Sequence, residues 1–137
     1  MSSITFINQN IFISSLDGIN EDSIQKYNID NIIILNNNIN PFDNINLQNI
    51  DIDKSNINFN LFYQFLYKSI QKQQKTLISC EDEDLLIVVL SYFLVKLNAL
   101  SIYKAVFFIS KYLNKKISNI KPDYLIQLYN SLITNSL

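Results

Sequence analysis

The order of apolar segments along this chain of 137 residues predicts an α/β fold. Short runs rich in β-branched residues come early, at residues 4–14 and 31–35, and longer segments with helical spacing dominate after residue 59. Strand-type and helix-type segments alternate through the middle, which predicts a mixed central sheet with helices on both sides. No repeat or linker divides the sequence, so we predict one domain over residues 1–137.

Two elements are predicted within the first 30 residues. Residues 4–14 contain two strand-type runs separated by an Asn-Gln-Asn turn, a pattern typical of a hairpin. Asn20 is a favourable N-cap residue, and the two acidic residues that follow it suit the dipole at a helix N-terminus. We therefore expect a short helix from about Asn20 to Tyr27.

Two further strands are predicted before residue 54. The unbroken run NIIIL at 31–35 is bounded by asparagines and is typical of a strand buried on both faces. Residues 36–46 include a proline and predict a loop. Apolar and polar residues then alternate imperfectly over 47–53, so we expect a weaker strand that ends at Asp53.

The remainder of the chain is predicted to be helical apart from one strand. Aromatic and aliphatic residues recur at helical spacing over residues 59–73. The run TLIS at 76–79 predicts a short buried strand, which leads into a helix over residues 84–97. Two more helices are expected, one capped by Ser101 and reaching about residue 113, and one that begins near Pro122.

Aromatic residues are concentrated in these predicted helices, where the simplest interpretation is that they form the core. Several of them exposed together would instead mark a surface for a partner. The residues concerned are Phe59, Phe62, Phe65, Tyr92, Phe93, Phe107 and Phe108.

The composition excludes several classes of function. A net charge of −1 provides no basic face for nucleic acid and no polybasic anchor for a membrane. Because Gly18 is the only glycine, there is no Gly-rich phosphate loop of the nucleotide-binding type. The sequence has no histidine and no arginine, which removes His-based acid–base catalysis, His metal sites and bidentate guanidinium clamps on phosphate. We expect no cofactor and no metal.

The composition also indicates where the protein works. The first ten residues lack the features of a secretory signal, and the apolar run at 85–95 is too short and too close to acids to span a bilayer. A single cysteine rules out an internal disulfide and suits a reducing compartment. We therefore expect a soluble cytoplasmic protein. The abundance of Ile, Asn, Lys, Tyr and Phe is typical of an A/T-rich genome, such as a viral one, in which case the location is host cytoplasm or the virion.

One segment combines residues that carry chemistry. Cys80 follows the predicted strand at 76–79 and precedes four consecutive carboxylates, Glu81 to Asp84. A thiolate is a nucleophile, but adjacent carboxylates disfavour the thiolate and repel a phosphate dianion. The simplest interpretation of Cys80 is a small buried side chain at the end of a strand, and the alternative is a redox-sensitive or catalytic thiol.

The order and spacing of the elements, together with particular residues, resemble the dual-specificity phosphatase family of cysteine-dependent protein phosphatases. Residues 4–35 are similar to the family's opening strand, turn, short helix and buried strand. IDID at 50–53 resembles the strand that leads to the general-acid aspartate, and TLISC at 76–80 resembles the strand that enters the nucleophilic loop. Three later segments resemble the helices that follow this loop in the family: LLIVVLSYFLV, SIYKAVFFI and PDYLIQLYNSL. The last segment includes the pair Gln127 and Leu128, which resembles a Gln-Leu pair of the family.

This resemblance implies a three-layer α/β fold in which a mixed, mostly parallel central sheet of four to five strands is flanked by five or six helices. It places Cys80 at the nucleophile and Asp53 at the general acid. The family's active loop reads His-Cys, five residues, Arg and then Ser or Thr, and its backbone N–H groups surround a phosphate at a helix N-terminus. In this chain Ser79 stands in place of the histidine.

The same comparison finds no arginine at the position where the family binds phosphate. Counting from Cys80 without a gap puts Leu86 there, whereas the following helix overlays better if the loop is two residues shorter, which puts Asp84 there. The loop glycine is also missing. We therefore predict vestigial catalytic positions at Cys80 and Asp53 and a degenerate phosphate loop. The loop comprises Ser79, Cys80, Glu81, Asp82, Glu83, Asp84, Leu85 and Leu86.

The acids from Glu81 to Asp84 have three interpretations. They form a solvated helix start whose charge suits the helix dipole, or they fill the anion site in place of phosphate. The third interpretation is a site for a divalent cation, although consecutive acids seldom converge on one ion.

The function predicted from the sequence is that of a pseudophosphatase, an inactive phosphatase fold that binds a protein partner as a scaffold or regulatory module. The sequence does not identify that partner, and we expect neither nucleic acid nor membrane to be one. The first alternative is a diverged Cys-dependent phosphatase or other hydrolase that uses Cys80. The second is a structural subunit, for example a homodimer.

Overall fold

The computed structural model of the chain describes residues 5–37 and 46–135. Most of the predicted loop at 36–46, including its proline, lies outside these residues. The described residues fall into two compact units. Unit 1 comprises those up to Ile52 together with Gln64–Glu81, and unit 2 comprises Asp53–Tyr63 and those from Asp82 onward.

The described part of unit 1 contains a five-stranded mixed sheet. From one edge to the other the order is β1-β2-β5-β3-β4, with β1 antiparallel to β2 and every other neighbouring pair parallel. The predicted α/β class and the mostly parallel sheet of four to five strands are therefore confirmed. The strands are β1 (Thr5–Phe6), β2 (Ile11–Ser14), β3 (Asn31–Leu35), β4 (Asn46–Ile50) and β5 (Thr76–Cys80).

The three inner strands are mostly apolar, and they are buried at every position, including the polar residues Asn31 and Thr76. This is the pattern expected of a parallel strand that is covered on both faces. One face of the sheet packs against a 3-10 turn at Leu16–Gly18 and against helix α1 (Glu21–Tyr27). The buried residues of this cluster are Phe12, Ile19, Ile24, Ile29, Ile32, Ile34 and Leu77.

Helix α1 begins at the predicted cap. Asn20 Oδ1 accepts a hydrogen bond from the Ser23 backbone N–H at 2.9 Å, and the Ser23 hydroxyl accepts one from the Asn20 N–H at 3.3 Å. This reciprocal capping box satisfies two N–H groups that the helix leaves without partners.

Strand β4 is shorter than predicted, since it ends at Ile50 and not at Asp53. The neighbouring strand β3 has already ended at Leu35, so the chain beyond Ile50 has no ladder to extend. Instead the Ile52 N–H donates to a side chain, Asn36 Oδ1, at 2.5 Å.

The helices agree with the predicted ones to within about two residues at each end. Helix α3 is buried at every position from Asp84 to Leu94, and in unit 2 it packs against α4 and α5. Among the described residues, no helix combines the length and the apolar character needed to cross a bilayer. The helices are α2 (Phe59–Gln71), α3 (Glu83–Asn98), α4 (Ile102–Tyr112) and α5 (Pro122–Asn135).

The aromatic residues divide between the core and the surface. Four of them are buried as predicted, and Phe59 stacks on Tyr92 with ring centroids 5.3 Å apart. Phe65 is half-buried. The core interpretation is wrong for Phe107 and Phe108, which are 51% and 40% exposed on α4. The four buried aromatics are Phe59, Phe62, Tyr92 and Phe93.

Candidate functional site

The connection between β5 and α3 is two residues long. Strand β5 ends at Cys80 and α3 begins at Glu83, so only Glu81 and Asp82 lie between them. Cys80 is buried, with 6% of its surface exposed. Ser79, which precedes it, is fully buried, and its hydroxyl has no hydrogen-bond partner among the described residues.

Asp82 is the N-cap of α3 and the centre of a polar cluster in unit 2. Its Oδ1 accepts a hydrogen bond from the Leu85 N–H at 3.3 Å, and its Oδ2 accepts one from the Tyr124 hydroxyl at 2.7 Å. The ammonium groups of Lys54 and Lys121 lie 3.2 and 3.8 Å from the same Oδ2. Burial raises the pKa of Asp82, but the bonds from Tyr124, Leu85 and Lys54 together lower it below the ordinary value of 3.8.

Asp84 lies in the first turn of α3 and is more deeply buried, with 5% of its surface exposed. It forms an ion pair with Lys115, and its Oδ2 accepts a hydrogen bond from the Lys121 backbone N–H at 3.0 Å. The hydrogen bond with Asp84 raises the pKa of Lys115 despite the opposing effect of burial. Lys121 therefore joins the two aspartates, since its N–H binds Asp84 and its ammonium faces Asp82.

The four consecutive acids have different environments. Glu81 is exposed and Glu83 is half-buried, whereas Asp82 and Asp84 are compensated by lysines. A solvated helix start therefore describes Glu81 but not Asp84. In residues 5–37 and 46–135, no three Asp, Glu, Cys or His side chains are grouped to hold a metal ion. Leu85 and Leu86 are buried in α3.

Asp53 lies in a turn of unit 2. Its Oδ1 accepts hydrogen bonds from the Ser55 hydroxyl at 2.7 Å and from the Ser55 N–H at 3.0 Å, and these bonds lower its pKa. Gln127 holds the same turn, because its Oε1 accepts a hydrogen bond from the Ile57 N–H at 2.7 Å and its Nε2 donates to the Lys54 carbonyl at 3.1 Å. Gln127 thereby fixes the backbone of Lys54, whose ammonium faces Asp82.

Sequence reasoning missed the partners of Asp82 and Asp84. The local sequence holds no pattern that links the acids to their partners, which are Lys54, Lys115, Lys121 and Tyr124. Their distance along the chain explains the omission, since helical spacing relates only residues three or four positions apart.

Solved structures of phosphatases and phosphatase-like proteins match the chain over nearly its whole length. The human tyrosine phosphatase-like serine/threonine/tyrosine-interacting protein aligns with a TM-score of 0.80 and 16% identity, covering 100% of both chains. The leucine rich repeat and phosphatase domain containing protein of Entamoeba histolytica aligns at 0.75 and 21% identity, covering 98% of this chain and 96% of the other. A variant of human DUSP28 aligns at 0.76 and 10% identity, with coverage of 98% and 99%.

Neither a protein-family model nor a curated protein sequence matches the chain. The structural matches establish the fold, which is that of the dual-specificity phosphatases, as the order of elements indicated.

Proposed function

We propose that this chain is an inactive member of the dual-specificity phosphatase family, a cytoplasmic pseudophosphatase of one domain that acts by binding another protein. The observation that carries this proposal is the start of α3, where Asp82 caps the helix and is held by Lys54, Lys121 and Tyr124. The resemblance puts the phosphate loop at this point of the chain. The protein's own carboxylate therefore takes the helix N-terminus that a phosphate needs.

The length of the connection supports the same conclusion. Two residues join Cys80 to α3, so Asp84 lies in the first turn of the helix, four positions after Cys80. The family's arginine lies six positions after its cysteine. This agrees with the alignment in which the loop is two residues shorter and Asp84 stands at the arginine position. There a buried carboxylate paired with Lys115 replaces a guanidinium, so the charge is opposite to the one that binds phosphate.

The burial of Cys80 argues against the alternative of a hydrolase that uses this thiol. A nucleophilic cysteine needs access to substrate and a positive environment that stabilises the thiolate. Cys80 is 6% exposed and is followed by four acids. No feature of the described residues favours that alternative.

The binding role is supported by exposed aromatic side chains on α4. Tyr103 and Phe107 are 69% and 51% exposed, and their rings stack at 6.2 Å. Phe108 and Tyr112 are also exposed and form a second pair at 5.0 Å. Several exposed aromatic side chains on one helix are typical of an interaction site. The human structural relative described above is itself named an interacting protein.

An assay with p-nitrophenyl phosphate tests the inactive assignment. We expect no turnover above buffer from the wild-type protein, and no difference from Cys80→Ser, with an active dual-specificity phosphatase as the positive control. Turnover that Cys80→Ser abolishes would contradict the assignment.

Binding of a phosphotyrosine peptide tests the occupied anion site separately. We expect no difference between the phosphorylated and unphosphorylated peptide in fluorescence anisotropy, because the Asp82 carboxylate already caps the α3 N-terminus and its charge and that of Asp84 are paired with lysines. Micromolar binding that is lost on dephosphorylation would refute this part of the proposal.

A further inference from the structure

One side of α4 and the turn that follows it enclose an open cavity of about 460 Å³. This volume lies within the range of about 300 to 1,000 Å³ typical of ligand pockets. Its helical lining residues recur at intervals of three and four and so form one stripe along the helix. The lining residues are Tyr103, Phe107, Ser110, Lys111, Asn114, Lys115, Lys116 and Ile117.

The stripe has an aromatic end and a cationic end. Tyr103 and Phe107 are stacked and largely exposed at the beginning of α4. Lys111 is exposed in the last turn of α4 and Lys116 is exposed after the helix, and neither forms an ion pair with a described residue. Lys115 also lines the cavity, but its ammonium is bound to Asp84. The described lining residues include no acid, and no ion pair among the described residues involves Lys111 or Lys116.

Ser110 provides an independent sign of a missing partner. It lines the cavity, is 2% exposed, and its buried hydroxyl has no hydrogen-bond partner among the described residues. Buried hydroxyl groups nearly always have a partner, because an unpaired one loses its bonds to water without replacement. Ser110 lies between Phe107 and Lys111 on the stripe, so an occupant of the cavity that carries an acceptor would pass close to it.

We propose that this cavity binds an acidic segment of a partner protein, with one or two apolar side chains over Tyr103 and Phe107 and carboxylates at Lys111 and Lys116. The Ser110 hydroxyl donates to a backbone carbonyl or a carboxylate of the segment. Charge complementarity selects the acidic partner, since it supplies the negative groups that the cationic end lacks. This inference rests on the proposed protein-binding function and specifies the partner's chemistry.

Fluorescence anisotropy with a labelled peptide tests the inference on the whole protein. The probe carries two leucines followed by four glutamates, and we expect saturable binding that weakens as salt is raised, because exposed charges are screened. Two other probes serve as controls, one with lysines in place of the glutamates and one with serines in place of the leucines. Both should bind at least about tenfold more weakly.

Variants of residues that line the cavity test whether the peptide binds there. Lys111→Glu combined with Lys116→Glu should weaken binding of the acidic probe about tenfold or more, because each attraction becomes a repulsion. The matched control reverses the charge of two exposed lysines of unit 1, Lys26→Glu with Lys72→Glu. Its affinity for the acidic probe should stay within about twofold of the wild-type value.

The aromatic and hydroxyl contributions need separate variants. Phe107→Ser should weaken binding about tenfold, whereas Tyr129→Ser, which removes an equally exposed aromatic of α5, should have no effect. Ser110→Ala should weaken binding about fivefold and leave the thermal midpoint unchanged or higher, since it removes an unpaired buried hydroxyl.

The inference would be overturned if the acidic probe does not bind, if the cavity variants and the control variants weaken binding equally, or if the lysine probe binds equally well. A dimer in light scattering that Lys111→Glu with Lys116→Glu dissociates would also overturn it, since a second copy would then occupy the cavity. Failure of this inference leaves the proposed function standing if the protein has no phosphatase activity and binds a partner elsewhere. Phosphatase activity that depends on Cys80, in contrast, would refute the proposed function even if the peptide binds.

Discussion

Two clusters of polar side chains, one around buried Asn31 and one around half-buried Asp82 and buried Asp84, are stabilised in different ways. In unit 1, Asn31 donates to the Ser69 hydroxyl at 2.9 Å and to Gln74 Oε1 at 3.1 Å, and it accepts from the Thr76 hydroxyl at 2.7 Å. In unit 2, Asp82 and Asp84 accept hydrogen bonds from Tyr124 and from backbone N–H groups and are also paired with ammonium groups. The first cluster is neutral and the second is charged.

The two clusters differ in how much is needed to make their burial favourable. Neutral groups at Asn31 need only matching donors and acceptors, which join β3 to β5 and to α2. Buried carboxylates need opposite charges as well, and the desolvation of both ions offsets much of what the pairing contributes. A neutral serine is sufficient to cap a helix, as Ser101 does for α4, so capping alone does not require the charged Asp82. The charged cluster is therefore the better candidate for a functional site.

The largest effect should come from removing the buried charge at Asp84. Asp84→Ala leaves Lys115 and the Lys121 N–H without their acceptor, and we expect a loss of about 3 kcal/mol in the free energy of unfolding by urea. Glu83→Ala is the matched control in the same turn, and it should lose no more than about 0.5 kcal/mol. Equal losses in the two variants would mean that the Asp84 ion pair is not the stabilising contact.

The neutral cluster should respond less. Asn31→Ala leaves the buried hydroxyl groups of Ser69 and Thr76 with fewer partners, and we expect a loss of about 2 kcal/mol in the same measurement. Asn46→Ala changes an exposed asparagine on the neighbouring strand and should have an effect within about 0.5 kcal/mol. A larger loss at Asn46 than at Asn31 would contradict the role assigned to the network.

The smallest expected effect is on how steeply stability changes with pH. This dependence should differ between the charged and the neutral cluster. The pKa of Asp82 is lowered in the folded protein, so its stabilisation is fully present well above 3.8 and is lost as the pH falls through the lowered value. Urea midpoints measured from pH 7 to pH 3 should fall less steeply for Asp82→Asn than for the wild type. Asn31→Ala should keep the wild-type slope, and Asp53, whose pKa is also lowered, should leave a residual slope in every variant. An unchanged slope in Asp82→Asn would show that this carboxylate gains nothing from its partners.

The local sequence was sufficient to predict most elements. The run NIIIL forms β3, Asn20 caps α1, and Ser101 caps α4 through a bond to the Lys104 N–H. Each of these features depends on residues within a few positions of one another, which is why pattern and propensity predict them. The same order of elements was enough to indicate the phosphatase fold.

The partners of the candidate site were decided by tertiary structure alone. Lys54, Lys115 and Lys121 lie far from Asp82 and Asp84 in the sequence, and only the packing of α3 with α4 and α5 and the turn held by Gln127 bring them together. The same holds for α4, whose helical pattern did not show that Phe107 faces solvent or that the Ser110 hydroxyl lacks a partner. Secondary structure follows from neighbours along the chain, whereas charge compensation and exposure follow from neighbours in space. In this protein the sequence by itself determined the fold, and the tertiary structure determined how the acids after Cys80 are held.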